Sequence, residues 1–302
     1  MLDLRQLRYF VAVADTLSFT RAAQQLHISQ PPLSQQIRAL EKLLGVRLFD
    51  RNRRRVALSE AGRAFLVEAR KTLQQAETAR RTAERAAAGQ IGRLRLAYPG
   101  SVAFHPTLPE SVLRFTRAYP EVQLELHEMF TVQQFAALLE ETIDVGFVRA
   151  PPRDAPTRRR VRFEVLDQEP LLLAVPAKHR LANRNRVRFR DVADEAFVAQ
   201  PRRYSSTVHD TLARLAGKTG SQLRIRQEAL QLSSLLSLVA AGIGLAVVPA
   251  SLQAVRLPGV AFVPLADAEA TMPIAVAWRK GDAAPVLQRF LEGLLPQAAS
   301  LP

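Results

Sequence analysis

"SFTRAAQQLHISQPPLSQQIRALEKLLG", residues 18–45, decides how the N-terminal part of this chain is read. Ser18 is suited to N-cap a helix over "FTRAAQQLH", whose inner face is Ala22, Ala23 and Leu26. After a short break at Ile28, Ser29 can cap a second helix. Gln30, Pro31 and Pro32 are then its first three positions, where N–H groups have no intrahelical acceptor, so the prolines lose nothing. Leu33, Ile37, Leu40, Leu43 and Leu44 supply the buried stripe. Two helices joined by a tight turn, with small Ala23 where they cross, predict a helix-turn-helix.

The flanks fit. Upstream, Leu4, Leu7, Phe10, Val11 and Ala14 recur at helical spacing and predict a first helix packed across the pair. Downstream, "VRLFDRNRRRVALSEAG" (46–62) reads as two short strands, Arg47–Phe49 and Val56–Leu58, around an arginine-rich turn: a wing. Ser59 caps a long helix with Glu60 in its first turn. Its apolar residues Phe65, Ala69, Leu73, Ala76, Ala83 and Ala87 recur near the heptad period, and its length is about 40 Å. So thin a seam cannot bury itself, and it predicts pairing with a second copy as a dimerisation helix.

Charge points the same way. The 302 residues carry a net +14, with +5 in residues 1–60 and +3 in 61–90, so the excess is concentrated in the N-terminal module. Nucleic acid is the first candidate partner and an acidic membrane surface the second. There is no cysteine, which excludes disulfides and thiolate chemistry, and the five scattered histidines lack metal-ligand spacing, so neither metal nor cofactor is expected. The start, "MLDLRQLRYF", lacks signal-peptide character, and no apolar run approaches the roughly 18 residues of a membrane span, so the cytoplasm is the expected compartment.

From residue 93 strands alternate with helices: "RLRLAY", "VQLELHEM" and "IDVGFVR" separated by helical patterns, then a second round from "LLLAVP" to "IGLAVVP". The tail returns with "MPIAVAW" and "APVLQRFLEGLL". The alternation predicts a parallel α/β sheet in two similar halves, hence a bilobed domain that binds a ligand between its lobes. No G-x-S-x-G, H-E-x-x-H, Walker or G-x-G-x-x-G motif is present, and "GIG" at 242–244 precedes a strand rather than opening a helix, so the chain is not read as an enzyme. The competing class is a solute-binding or catalytic α/β protein with a basic N-terminal anchor.

The stretch "LRQLRYFVAVADTLSFTRAAQQLHISQPPLSQQIRALEKLLGVRLFDR" with "LSEAG" closely resembles the LysR-type transcriptional regulators, and "PEVQLEL", "DVGFVR" and "LVAAGIGLAVVP" match more loosely. The form "SQPPLS" resembles the branch that answers to aromatic-degradation intermediates of the muconate and chlorocatechol type. The resemblance implies a winged helix-turn-helix (1–59), a linker and dimerisation helix (60–90) and a periplasmic-binding-protein-like effector domain (91–302). The latter would have lobe I at about 91–166 and 268–302 and lobe II at about 167–267. It further implies a cytoplasmic, nucleoid-associated bacterial activator that assembles as a homodimer and homotetramer, binds promoter DNA and acts on RNA polymerase.

In that frame Gln30, Pro31, Ser34 and Gln35 would meet base edges in the major groove, Gln pairing with adenine and the proline ring with a thymine methyl. Arg38, Arg51, Arg53, Arg54 and Arg55 would meet phosphates or a minor groove. The family often has arginine where this chain has Gln35. The bland alternatives are a solvated helix face and a solubilising charge run; Arg158–Arg160 and Arg184, Arg186, Arg188 and Arg190 are read as solvated surface or subunit contacts. The family's inducer pocket resembles the arrangement at Ser101, Thr131, Arg149, Pro201 and Tyr204, which would hold a small anionic, aromatic-derived carboxylate. Ser101 and Thr131 could instead only cap helices, and Arg149 could be a lobe-bridging ion pair.

Overall fold

The structure, a computed structural model, describes residues 1–52, 55–204, 206–220 and 222–295. The chain separates into two compact units, Met1–Arg85 and Ala86–Pro302.

The N-terminal unit contains α1 (Leu4–Thr16), α2 (Phe19–Gln25), α3 (Gln30–Leu44), β1 (Phe49–Asn52), β2 (Arg55–Leu58) and α4 (Glu60–Ala87). Asp3 and Ser18 cap α1 and α2 by accepting from Arg5 N–H and Arg21 N–H. Ala22 and Ala23 are buried at the helix crossing, with Leu7, Phe10, Leu33, Ile37 and Leu40 around them. Phe10 packs its ring, tilted, at 5.4 Å from Phe49 and 5.1 Å from Phe65, which joins α1 to the wing and to α4. Leu4 and Leu43, assigned to the interior from periodicity, are exposed at the ends of their stripes.

The wing strand starts at Phe49 rather than Arg47. The reason is local: Glu41 takes the N–H groups of Leu48 and Phe49, while Ser59 donates its N–H to Leu48 C=O and its hydroxyl to Arg47 C=O. The backbone at 47–48 is therefore used by α3 and the start of α4, not by the β1–β2 ladder, which pairs Phe49 with Leu58 and Asn52 with Arg55. Gly62, whose N–H is capped by the Ser59 hydroxyl, packs directly on that backbone: a Cβ there would stand 2.0 Å from Leu48 O. Along α4 only Gly62 and Ala69 are buried, and the later seam residues Ala83 and Ala87 are exposed.

The C-terminal unit runs β3 (Gly92–Tyr98), α5 (Thr107–Ala118), β4 (Val122–Glu128), α6 (Thr131–Leu139), β5 (Val145–Val148), α7 (Ala155–Arg160), β6 (Val161–Pro176), β7 (Ala196–Ala199), α8 (Ser206–Thr219), β8 (Arg224–Glu228), α9 (Leu232–Ala240), β9 (Ala246–Pro249), β10 (Val260–Pro264), β11 (Thr271–Arg279) and α10 (Pro285–Leu294). The main sheet has the order β10-β6-β11-β5-β3-β4, with β9 also on β6. It is mixed, which corrects the parallel sheet expected from strand–helix alternation. β3 runs parallel to β4 and β5, whereas β6 is antiparallel to β9, β10 and β11.

The physical reason is the double crossing between lobes. β6 carries the chain out: its first part, 161–170, pairs with β11, and its second part, 171–176, with β9 and β10. β11 carries it back, so the two must oppose each other. The domain is accordingly bilobed, with one core around Leu96, Phe147, Ile274 and Phe290 and another around Leu173, Phe189, Phe197 and Leu212. Arg158–Arg160 form the exposed last turn of α7, a helix not anticipated from sequence. Arg184, Arg186, Arg188 and Arg190 are exposed, while Val187 and Phe189 between them are buried.

Candidate functional site

Two surfaces hold the residues singled out from sequence. On α3, Ser29 has extended backbone, φ −78° and ψ 154°, but makes no side-chain cap bond; Pro31 and Pro32 follow in the first turn. Gln30, Pro31, Gln35 and Arg38 are exposed and Ser34 is half-buried. Pro31, Gln35 and Arg38 share the face opposite Leu33, Ile37 and Leu40, while Ser34 and, in the first turn, Gln30 lie toward the edge of that buried stripe. Arg51 and Arg55 lie at the end of the wing ladder; Arg53 and Arg54 lie outside the described residues. His27, in the turn between α2 and α3, takes a left-handed φ of 56°.

The second surface is a cavity of about 270 Å³ between the lobes of the C-terminal unit. Ser101, Thr131, Arg149 and Tyr204 line it. Pro201 is not on its wall; it sits in the preceding turn and accepts the Tyr204 N–H at 2.9 Å. The Tyr204 ring stacks on Phe130 with centroids 4.6 Å apart, one ring from each lobe. Leu212, Leu235, Val247 and Met272 make the apolar wall.

Arg149 is 4% exposed, and its guanidinium is occupied. It donates to Glu169 Oε2 at 2.5 Å, to Ser101 O at 2.9 Å and to Ser101 Oγ at 3.2 Å. Its own N–H goes to Thr131 Oγ1 at 3.0 Å, and its C=O accepts from Thr207 Oγ1 of the second lobe at 3.0 Å. Burial pushes its pKa below the ordinary arginine range, against the charge and hydrogen bond of Glu169. Glu169, 3% exposed, spends its other oxygen on Ser251 N–H at 2.6 Å. Arg149 is therefore a buried ion pair tied to both lobes, the alternative reading left open by the sequence. Ser101 and Thr131 spend their hydroxyls on it.

Sequence reasoning missed the groups that give the cavity its polarity. Thr131 opens α6, and Gln231, Leu232 and Ser233 open α9; both helix starts face the cavity. Neither N-cap residue, Phe130 or Gln231, makes a side-chain cap bond; Gln133 Oε1 takes the Phe130 N–H at 3.1 Å, which leaves the N–H groups of the first helical residues as donors. His209 donates from Nε2 to Gln200 C=O at 2.6 Å, since a carbonyl can only accept. Glu128 brings a carboxylate to the wall at the end of β4. Glu169 and α9 lie far from the other site residues in sequence, and no local pattern marks them. Among the described residues no group of His, Asp and Glu could hold a metal ion, and no helix is long and apolar enough to cross a membrane.

Comparison with known proteins agrees on both units. Residues 4–63 match the model for the bacterial regulatory helix-turn-helix protein, lysR family, and residues 87–299 match the LysR substrate binding domain. YnfL of Escherichia coli K12, an uncharacterized HTH-type transcriptional regulator, is 37% identical over 92% of this chain and 93% of its own. IlvR of Caulobacter vibrioides, an HTH-type transcriptional regulator, is 37% identical over the whole of both chains. The crystal structure of CbnR, a LysR family transcriptional regulator, superposes with a TM-score of 0.83 at 33% identity, covering 97% of this chain and 100% of that one. Full-length CbnR complexed with its target DNA gives 0.82 at 32%, covering 98% and 99%.

Proposed function

The chain belongs to the LysR family of DNA-binding transcriptional regulators, and on that premise we propose that a small carboxylate bound between its lobes controls its action at a promoter. It is a transcription factor with an effector-binding domain, not an enzyme. The observation that carries the carboxylate reading is the pair of helix N-termini, α6 from one lobe and α9 from the other, that face one cavity with no cap bond from the side chains of Phe130 or Gln231. Partial positive charge and unpaired N–H groups at such ends favour an anion. The apolar wall of Leu212, Leu235, Val247 and Met272 suits a hydrocarbon or aromatic body. Arg149 then acts through Ser101 and Thr131, whose hydroxyls it holds, rather than as the direct counter-charge.

In this reading Gln30, Pro31, Ser34 and Gln35 read bases, and Arg38, Arg51, Arg53, Arg54 and Arg55 neutralise phosphates. The domains divide at 1–59, 60–90 and 91–302, with the lobes exchanging near 166 and 267. The later, exposed part of the α4 seam, at Ala83 and Ala87, pairs with a second copy, and pairs of such dimers form a tetramer. Effector binding favours one arrangement of the tetramer, which changes DNA bending and RNA polymerase access, with activation as the outcome. The site of action is the cytoplasmic nucleoid.

The test is a thermal-shift screen of the full chain with carboxylic acids, each against its primary amide, followed by binding of the upstream DNA with and without the stabilising acid. Acids should raise the melting temperature more than their amides, because ligand binding to the native state adds stability by mass action. Equal shifts for acid and amide sink the carboxylate reading.

A further inference from the structure

The cavity wall has a second pole. Arg149 is the only Lys or Arg among the described lining residues, and its charge is cancelled by buried Glu169. Glu128 lies on the same wall, three residues before Thr131, with its side chain exposed and with no ion pair to any described residue. A Cβ on residue 100 would stand 2.6 Å from Glu128 Oε1, so glycine at 100 lets the carboxylate lie against the Pro99–Ser101 turn at the cavity rim. The cavity thus presents N–H donors at two helix starts, one free anion beside them, and an apolar surface.

We propose that Glu128 is the cation-binding residue of the effector site and that the effector is a zwitterion: an α-amino acid with an apolar side chain. The inference rests on the carboxylate reading above and narrows it. The carboxylate faces the starts of α6 and α9, the ammonium donates to Glu128, and the side chain meets the apolar wall. A dicarboxylate would bring its second negative charge toward Glu128, where like charges repel. A simple monocarboxylate would leave Glu128 without a partner. A charge-assisted hydrogen bond to Glu128 gives the amino acid an advantage of about tenfold over its desamino analogue.

The experiment is isothermal titration calorimetry on the full chain with five probes. L-leucine is compared with 4-methylpentanoate, L-phenylalanine with 3-phenylpropanoate, and cis,cis-muconate serves as the dicarboxylate. At least one amino acid should bind about tenfold more tightly than its desamino acid, and muconate most weakly. Glu128→Gln should bring that ratio near one and strengthen muconate binding, while Glu128→Asp should keep part of the preference. Desamino acids or muconate binding as tightly as the amino acids would overturn the proposal and leave the carboxylate reading standing. So would an amino-acid preference that survives unchanged in Glu128→Gln. Binding of none of the five overturns the amino-acid proposal, and the acid-against-amide screen then decides the carboxylate reading separately.

Discussion

Arg149→Ala is the substitution whose outcome follows most directly from the buried network. Removing the guanidinium leaves Glu169, 3% exposed, with one oxygen on Ser251 N–H and the other facing an empty space. Breaking a buried pair from one side costs about 3–5 kcal/mol, because the remaining charge stays desolvated. It also releases the hydroxyl and carbonyl of Ser101, while the backbone bonds of residue 149 to Thr131 and Thr207 remain. At about 2–4 °C per kcal/mol for a domain of this size, the C-terminal unit should melt roughly 6–20 °C lower. The double variant Arg149→Met with Glu169→Leu removes both charges and fills similar volume, so it should recover most of that loss. Calorimetric melting of the full-length wild type, the single variant and the double variant is the assay. If the single variant melts within about 2 °C of wild type, or the double variant melts as low as the single, the ion pair is not what the structure makes of it. A mere loss of effector response in Arg149→Ala would not identify Arg149 as a ligand contact, since the wall itself is disturbed.

Other outcomes are open to measurement. Gly62→Ala should disrupt the N-terminal unit by about 1–3 kcal/mol or more, because the new methyl meets the Leu48 carbonyl, whose backbone cannot yield as a side chain would; a lowered first melting transition and weakened DNA binding check it. Burial would raise the Asp144 pKa, but hydrogen bonds from the Arg95 side chain and backbone and the charges of Arg95 and Arg279 outweigh it and hold the carboxyl below its ordinary value. Its stabilisation is therefore full above about pH 4 and is lost as pH falls through the depressed value, so the melting gap between wild type and Asp144→Asn, about 2 kcal/mol at pH 7, should hold down to about pH 4 and shrink as the pH is lowered further. Arg38→Ala should weaken binding to all DNA sequences and reduce the slope of log K against log salt by about 0.9, whereas Gln30→Ala should cost about 1–3 kcal/mol only on the specific site. Fluorescence anisotropy at several salt concentrations separates the two.

Much of the N-terminal unit was legible because its determinants are local. Ser18 caps α2, Ser59 caps the start of α4, and the proline pair lies in the first turn of α3, each where the spacing demanded. The double proline that looks like a helix breaker occupies the one turn where missing N–H groups cost little. The limits appeared at stripe ends, where Leu4 and Leu43 have no neighbour to cover them. They appeared again at the wing, where Glu41 captures the backbone of Leu48 and Phe49 across seven residues of sequence.

The cavity was harder to read. Ser101, Thr131, Arg149 and Tyr204 do line it, yet their roles depend on partners that periodicity does not reveal. Arg149 at a strand end looks like a free cation until β6 brings Glu169 to 2.5 Å from it. Glu128 looks like one more surface acid until the turn at Gly100 folds against it. Hydrophobic period, capping and turn chemistry act between near neighbours, so the sequence by itself determined the helix-turn-helix, the long α4 and the alternation of the C-terminal unit. Electrostatic pairing acts through space, at distances set by the antiparallel crossing of β6 and β11. Only the tertiary structure could decide which charge on the cavity wall is already spent and which is free.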